Sequence, residues 1–187
     1  MASVFIIHGT GGNPESNWFP WLKQELESVG CKVFVPKFPT PENQSLKSWL
    51  VIFERHKKNL DENSIVVGHS LGVPFLLNVL EQTRKPIKAA FFVSGFTGLS
   101  GNKTYDNLHR TFVDKVFEWK SLKQKCKKFY VIGSDNDPYI PLENAKDLAK
   151  RLGAEFTVLN NGGHINQDSG YKKFELLLEK IKAELLI

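Results

Sequence analysis

The feature that most constrains this chain is an alternation. Short runs rich in β-branched and aromatic residues are each followed by a longer stretch whose apolar residues fall at helical spacing. Val4-Phe5-Ile6-Ile7 and Val33-Phe34-Val35 read as strands, as do residues 64–67, 88–94, 128–132 and 155–159. Between them the spacing predicts helices over residues 17–29, 45–59, 71–82 and 142–152. Phe174, Leu177, Leu178, Ile181 and Leu185 form the stripe of a last helix. Strand runs that are apolar on both faces, with helices between them, imply a mostly parallel sheet covered on both sides. Right-handed crossovers then make an α/β, doubly wound fold, and ligands of such sheets bind beyond the carboxyl ends of the strands.

Composition narrows the class. The chain has 187 residues, 41% hydrophobic and 24% charged, as expected of one globular domain spanning 1–187 and not of a disordered or fibrous chain. The apolar run from Ile87 to Phe96 is too short for a membrane span and is broken by Lys88. Met1-Ala2-Ser3-Val4 carries no basic leader, and Cys31 and Cys126 stand far apart without metal-ligand spacing. Both features point to a cytoplasmic protein with reduced thiols, and to no metal site. The net charge of +5 owes much to Lys120, Lys123, Lys125, Lys127 and Lys128. That run reads as a solvated face, so neither nucleic acid nor membrane is expected as a partner.

Gly68-His69-Ser70-Leu71-Gly72 follows one strand directly and opens a helix. This is the G-x-S-x-G elbow in the setting its chemistry requires: a tight turn lifts the serine hydroxyl above the sheet, and side chains at 68 and 72 would strike backbone. A serine hydroxyl is a weak nucleophile and needs a base, which in turn needs an orienting acid. The strand ending near Ile132 runs into Gly133-Ser134-Asp135-Asn136-Asp137-Pro138-Tyr139-Ile140-Pro141, and the last strand runs into Asn160-Asn161-Gly162-Gly163-His164. Ser70, an acid and His164 thus occur in chain order on loops at one rim. Asp135 and Asp137 both compete for the acid. Asp137 is preferred because Asp137-Pro138-Tyr139-Ile140-Pro141 is similar to the D-x-x-[IV]-P pattern of α/β-hydrolases, leaving Asp135 as a turn or capping residue.

His8-Gly9-Thr10-Gly11-Gly12-Asn13 follows the first strand. The backbone N–H groups of Thr10 and Leu71 are the expected oxyanion donors, with Gly11 as the fallback for Thr10. A phosphate loop is excluded, since no Lys-Ser/Thr follows the glycines and Pro14 stands where a third glycine would be needed. His69 is the variable residue of the elbow, His8 ends a strand, and His56 and His109 read as solvated surface. Trp18, Phe19, Trp21, Phe96, Trp119 and Tyr139 are candidates for an acyl pocket, though most read as core. Only residues 98–120 are available as a lid, so a shallow, open site is expected.

With these motifs in hand, and with His8 to Leu22 as its most specific stretch, the chain resembles a family of small serine hydrolases. These are the α/β-hydrolases related to retinoblastoma-binding protein nine and the bacterial YdeN proteins. The resemblance spans essentially the whole chain. It implies a compact fold, a triad at Ser70, Asp137 and His164, and no cofactor. The expected activity is hydrolysis of small acyl substrates through an acyl-enzyme. The alternatives are an acyltransferase or thioesterase on the same residues, and a protein-binding module on a hydrolase scaffold.

Overall fold

In the computed structural model, which describes residues 1–186, six strands form one sheet in the order β2-β1-β3-β4-β5-β6. They are β1 (Ser3–Ile7), β2 (Lys32–Phe34), β3 (Ile65–His69), β4 (Ile87–Val93), β5 (Cys126–Ser134) and β6 (Glu155–Leu159). Every neighbouring pair is parallel, with Val4 level with Ile65, and Ile65 level with Ala89. The central strands β1, β3 and most of β4 are buried along their length, which is why they read as continuous apolar runs.

Alternate residues of each strand feed separate cores. Phe5, Ile7, Val66 and Phe92 pack with Trp49, Phe53, Phe75, Phe112 and Leu148 on one face. That face is covered by α2 (Leu46–Glu54), α3 (Gly72–Glu81), α4 (Lys103–Val113), α5 (Trp119–Leu122) and α6 (Leu142–Leu152). Val4, Ile6, Val67 and Phe91 pack on the other with Trp18, Leu22, Leu26, Leu177 and Ile181. Those come from α1 (Phe19–Ser28), the turn before it, and α7 (Glu175–Leu185).

Differences from the expected bounds have local causes. The first helix begins at Phe19 instead of 17 because Asn17 sits at φ 56, outside the helical region. The helix expected over 45–59 stops at Glu54 and gives way to a short 3-10 turn, Lys57–Asn59. Its start is fixed by a reciprocal cap between Ser45 and Ser48. The segment 98–120 folds into α4 and α5, with Asn102 capping α4 through its side chain.

The strand order reverses between β1 and β3: the chain runs from β1 outward to β2, then from β3 outward to β6. A crevice opens at such a switch point, beyond the carboxyl ends of the two strands. The loop starting at His8 and the elbow at Ser70 both lie there.

Candidate active site

Ser70 follows β3 at φ 54, a left-handed conformation that costs a non-glycine residue about 1–3 kcal/mol. Two backbone hydrogen bonds hold it: its N–H donates to Val93 O at 2.9 Å, and its carbonyl accepts from Val73 N at 3.0 Å. The flanking glycines are steric necessities. A Cβ on Gly72 would overlap the carbonyls of Ile7 and His8, and one on Gly68 would lie 2.9 Å from the Gly72 carbonyl. Gly9, from the loop after β1, passes so close that its Cβ would sit 2.8 Å from Ser70 Cβ.

The loops after β5 and β6 are tied together. Asp135 Oδ1 accepts from Asn161 N at 2.8 Å, a tie between loops and not the turn or cap expected of it, and Asn136 Oδ1 accepts from Gly163 N at 2.7 Å. Gly163 takes φ 55, turning the chain so that His164 Nδ1 reaches Asp137 at 2.8 Å (Oδ2) and 3.0 Å (Oδ1). The Asp137 side chain is 2% exposed. Burial alone would raise its pKa. The His164 hydrogen bond and charge, with the N–H groups of Tyr139 and Ile140, outweigh that and hold the carboxyl below its usual value. Asp137 is therefore ionised at neutral pH, and Nδ1 of His164 carries the proton that faces it.

The segment beyond His164 is anchored from the opening motif. Trp18 Nε1 donates to Ile165 O at 2.9 Å, and Asn17 Oδ1 accepts from Gln167 N at 3.1 Å. His69 points to the other side of the sheet, where its Nε2–H donates to His164 O at 2.9 Å. Burial, aided by the charge of His164, pushes its pKa down to about 3, so it is a neutral strut. His8 is also buried and neutral, donating from Nδ1 to Gly9 O and accepting from Phe38 N on Nε2.

Ser70 and His164 line the same cavity of about 270 Å³, together with Thr10. Among the described residues no hydrogen bond joins the Ser70 hydroxyl to His164. No hydrogen bond among them uses the backbone N–H of Thr10 or Leu71 either. The Gly11 N–H, the fallback donor, is spent on Thr40 Oγ1 at 2.7 Å.

His109 corrects the sequence reading. Expected on solvated surface, it is 8% exposed, lines this cavity, and bonds Thr10 Oγ1 through Nε2 at 3.0 Å. Burial lowers its pKa to about 4. The inner face of α4 consists of Asp106, His109, Phe112 and Val113, a helical spacing legible in the sequence once polar residues are allowed on it. Gly98, Leu99, Ser100 and Tyr105, from the short segment considered as a lid, form part of the cavity wall. Of the aromatic candidates, Phe96 and Tyr139 line the cavity. Trp18 and Phe19 are buried core, while Trp21 and Trp119 pack half-buried at core edges.

Residues 4–183 match the family model described as serine hydrolase. YdeN of Bacillus subtilis (strain 168) is 32% identical over 184 residues, covering 96% of this chain and 94% of that protein. The serine hydrolase RBBP9 of Rattus norvegicus is 25% identical over 183 residues, again covering 96% and 94%. The crystal structure of the B. subtilis ydeN gene product covers both chains completely, with a TM-score of 0.93 at 28% identity. Est1E from Butyrivibrio proteoclasticus shares the fold at a TM-score of 0.74 and 18% identity, over 99% of this chain and 87% of its own. An elbow serine raised at the switch point of a parallel sheet, and a match along nearly all its length, make this chain a member of the serine hydrolase family with the α/β-hydrolase fold.

Proposed function

We infer that the protein hydrolyses esters of small carboxylic acids, with Ser70 as nucleophile, His164 as general base and acid, and Asp137 as the group that orients it. The observation that carries this reading is the pair of hydrogen bonds from His164 Nδ1 to a buried, ionised Asp137, in a cavity that Ser70 also lines. The bonds fix the tautomer whose Nε2 can accept a proton, which a serine needs from its base. Contacts of this kind are often loose before substrate arrives and tighten in the complex, so the open Ser70–His164 pair is compatible with the role.

In the first half-reaction Ser70 Oγ bonds to the acyl carbon while its proton passes to His164 Nε2. The tetrahedral oxyanion is held by the N–H groups of Leu71 and Thr10. It collapses with cleavage of the bond to the alcohol oxygen, which takes the proton from His164. Water repeats the sequence on the acyl-enzyme, giving the free acid and restoring the serine. Esters are favoured over peptides because a cavity of about 270 Å³ beside Ser70 is no extended cleft for a chain to lie in. The same reading keeps the protein in the cytoplasm, with Cys31 and Cys126 as separate buried thiols.

The test is covalent labelling by a fluorophosphonate. The unaltered chain labels stoichiometrically at Ser70, and Ser70→Ala neither labels nor turns over an ester. Unchanged labelling in Ser70→Ala removes the mechanism.

A further inference from the structure

Two hollows meet at Ser70, and they differ in chemistry. The cavity already described is walled by Phe96, Leu99, Tyr105, His109, Tyr139 and Ile140. The other is lined by backbone of Gly9 to Gly12 and by polar side chains that include Ser16, Asn17, Gln167 and Asp168. Ser70, His164, Thr10, Asn166 and Asp168 belong to both.

The first hollow collects aromatic rings. Phe96 and His109 stand 4.8 Å apart between ring centres, His109 and Tyr105 are stacked at 5.8 Å, and Tyr105 meets Tyr139 edge-on at 6.3 Å. Tyr139 in turn lies edge-on to His164 at 5.0 Å. Phe96 and His109 are buried, but two of the rings and a neighbouring leucine are left open to solvent: Tyr105 is 39% exposed, Tyr139 51% and Leu99 40%. Large apolar side chains kept uncovered around one concavity mark a place where a ligand covers them. The polar members of the wall include Ser100, whose hydroxyl is already bonded to Asp106, and Asn144.

We propose that the acyl group of the substrate carries a flat aromatic ring, joined by a short linker to the ester, and that this ring packs against the exposed sides of Tyr105 and Tyr139. The proposal rests on the reading of Ser70 as the nucleophile. The volume suits it: about 270 Å³ lies just under the usual span of ligand pockets, about 300–1,000 Å³, so one ring and a short linker fit. The geometry suits it as well, since aromatic rings gain from edge-to-face and offset contacts beyond the area they bury, and a saturated ring does not. The acyl part is the one assigned to this hollow because it stays bound through the intermediate. The polar hollow then serves the alcohol that departs and the water that replaces it. The balance is that of any ester hydrolysis: aryl-alkyl carboxylate ester plus water gives the aryl-alkyl acid and the alcohol, with Ser70 regenerated.

The experiment compares methyl 3-phenylpropionate with methyl 3-cyclohexylpropionate on the full chain, following acid release by titration. The unaltered protein favours the phenyl ester by about tenfold in kcat/KM, the size expected of one or two well-placed ring contacts. Tyr105→Leu, Tyr139→Leu and the double variant bring that ratio towards one while still melting cooperatively. A ratio at or below one in the unaltered protein overturns the proposal, and needs no variant to fold. So does a preference that survives in a folded double variant. Phenethyl acetate against 2-cyclohexylethyl acetate tests the orientation: a ring preference found only in that pair overturns the acyl assignment. Fluorophosphonate labelling of Ser70 separates the levels. Labelling without any ring preference sinks this inference alone, whereas no labelling sinks the nucleophile reading beneath it.

Discussion

Ser70 keeps its strained backbone only because nothing around the elbow can relax it. Gly72 abuts the carbonyls that end β1, so an added methyl meets backbone, which cannot rotate away. Gly72→Ala therefore destabilises the fold by about 2–3 kcal/mol, as overpacking against rigid surroundings does, and also disturbs labelling at Ser70. Gly98, whose Cβ would meet nothing within 4 Å, is the control: Gly98→Ala leaves the urea midpoint where it was. At this scale most of the candidate site was legible in the sequence. Ser70, Asp137 and His164 announce themselves through flanking glycines and prolines that constrain backbone. His109 did not, because the rule that sorts a helix into apolar and polar faces sends a histidine outward unless a buried partner is known, and Thr10 lies 99 residues away.

Helix α4 does more than wall a cavity. It grips the loop after β1 by two routes. One is direct, from His109 to Thr10 Oγ1. The other runs from Leu108 O through Gln44 to Thr40, and from Thr40 Oγ1 to Gly11 N, with bonds of 2.9, 2.6 and 2.7 Å. Thr10, the expected oxyanion donor, sits where they meet. His109→Phe preserves a ring between Phe96 and Tyr105 but loses the bond. It should lower kcat about threefold to tenfold, the worth of one hydrogen bond, with KM changed less than twofold. Thr40→Val should do the same by the second route. A change confined to KM in steady-state assays of both variants would contradict the clamp. The six strands and most helices were legible from periodicity alone. Helix α4 was not, since Asp106 and His109 interrupt its inner stripe and leave no continuous apolar pattern.

For the molecule as a whole, the buried histidines set how it responds to acid. His69 and His109 are neutral in the folded chain, with pKa values near 3 and 4 against 6.5 for a free imidazole. Unfolding lets both take up a proton. Stability is thus complete above pH 6.5 and falls as the pH drops towards 4, by about 1.4 kcal/mol per pH unit for each histidine. Asp137, depressed below its usual value, extends the loss to lower pH. Urea midpoints at pH 7, 6 and 5 check this, and His109→Phe should flatten the slope by one proton; a level profile over that interval contradicts the assignment. The sheet order was only partly foreseeable: local pattern gives strands and crossovers, but which strand lies at an edge depends on distant pairing. The bonds from α4 to the β1 loop have a consequence for descent and design. A graft that replaces α4 to admit a bulkier acid also removes the struts beneath Thr10, the proposed oxyanion donor, so on this reading selectivity and speed cannot be retuned separately. A successful transplant would have to carry Thr40 and Gln44 along with the helix, like a hinge moved together with its door.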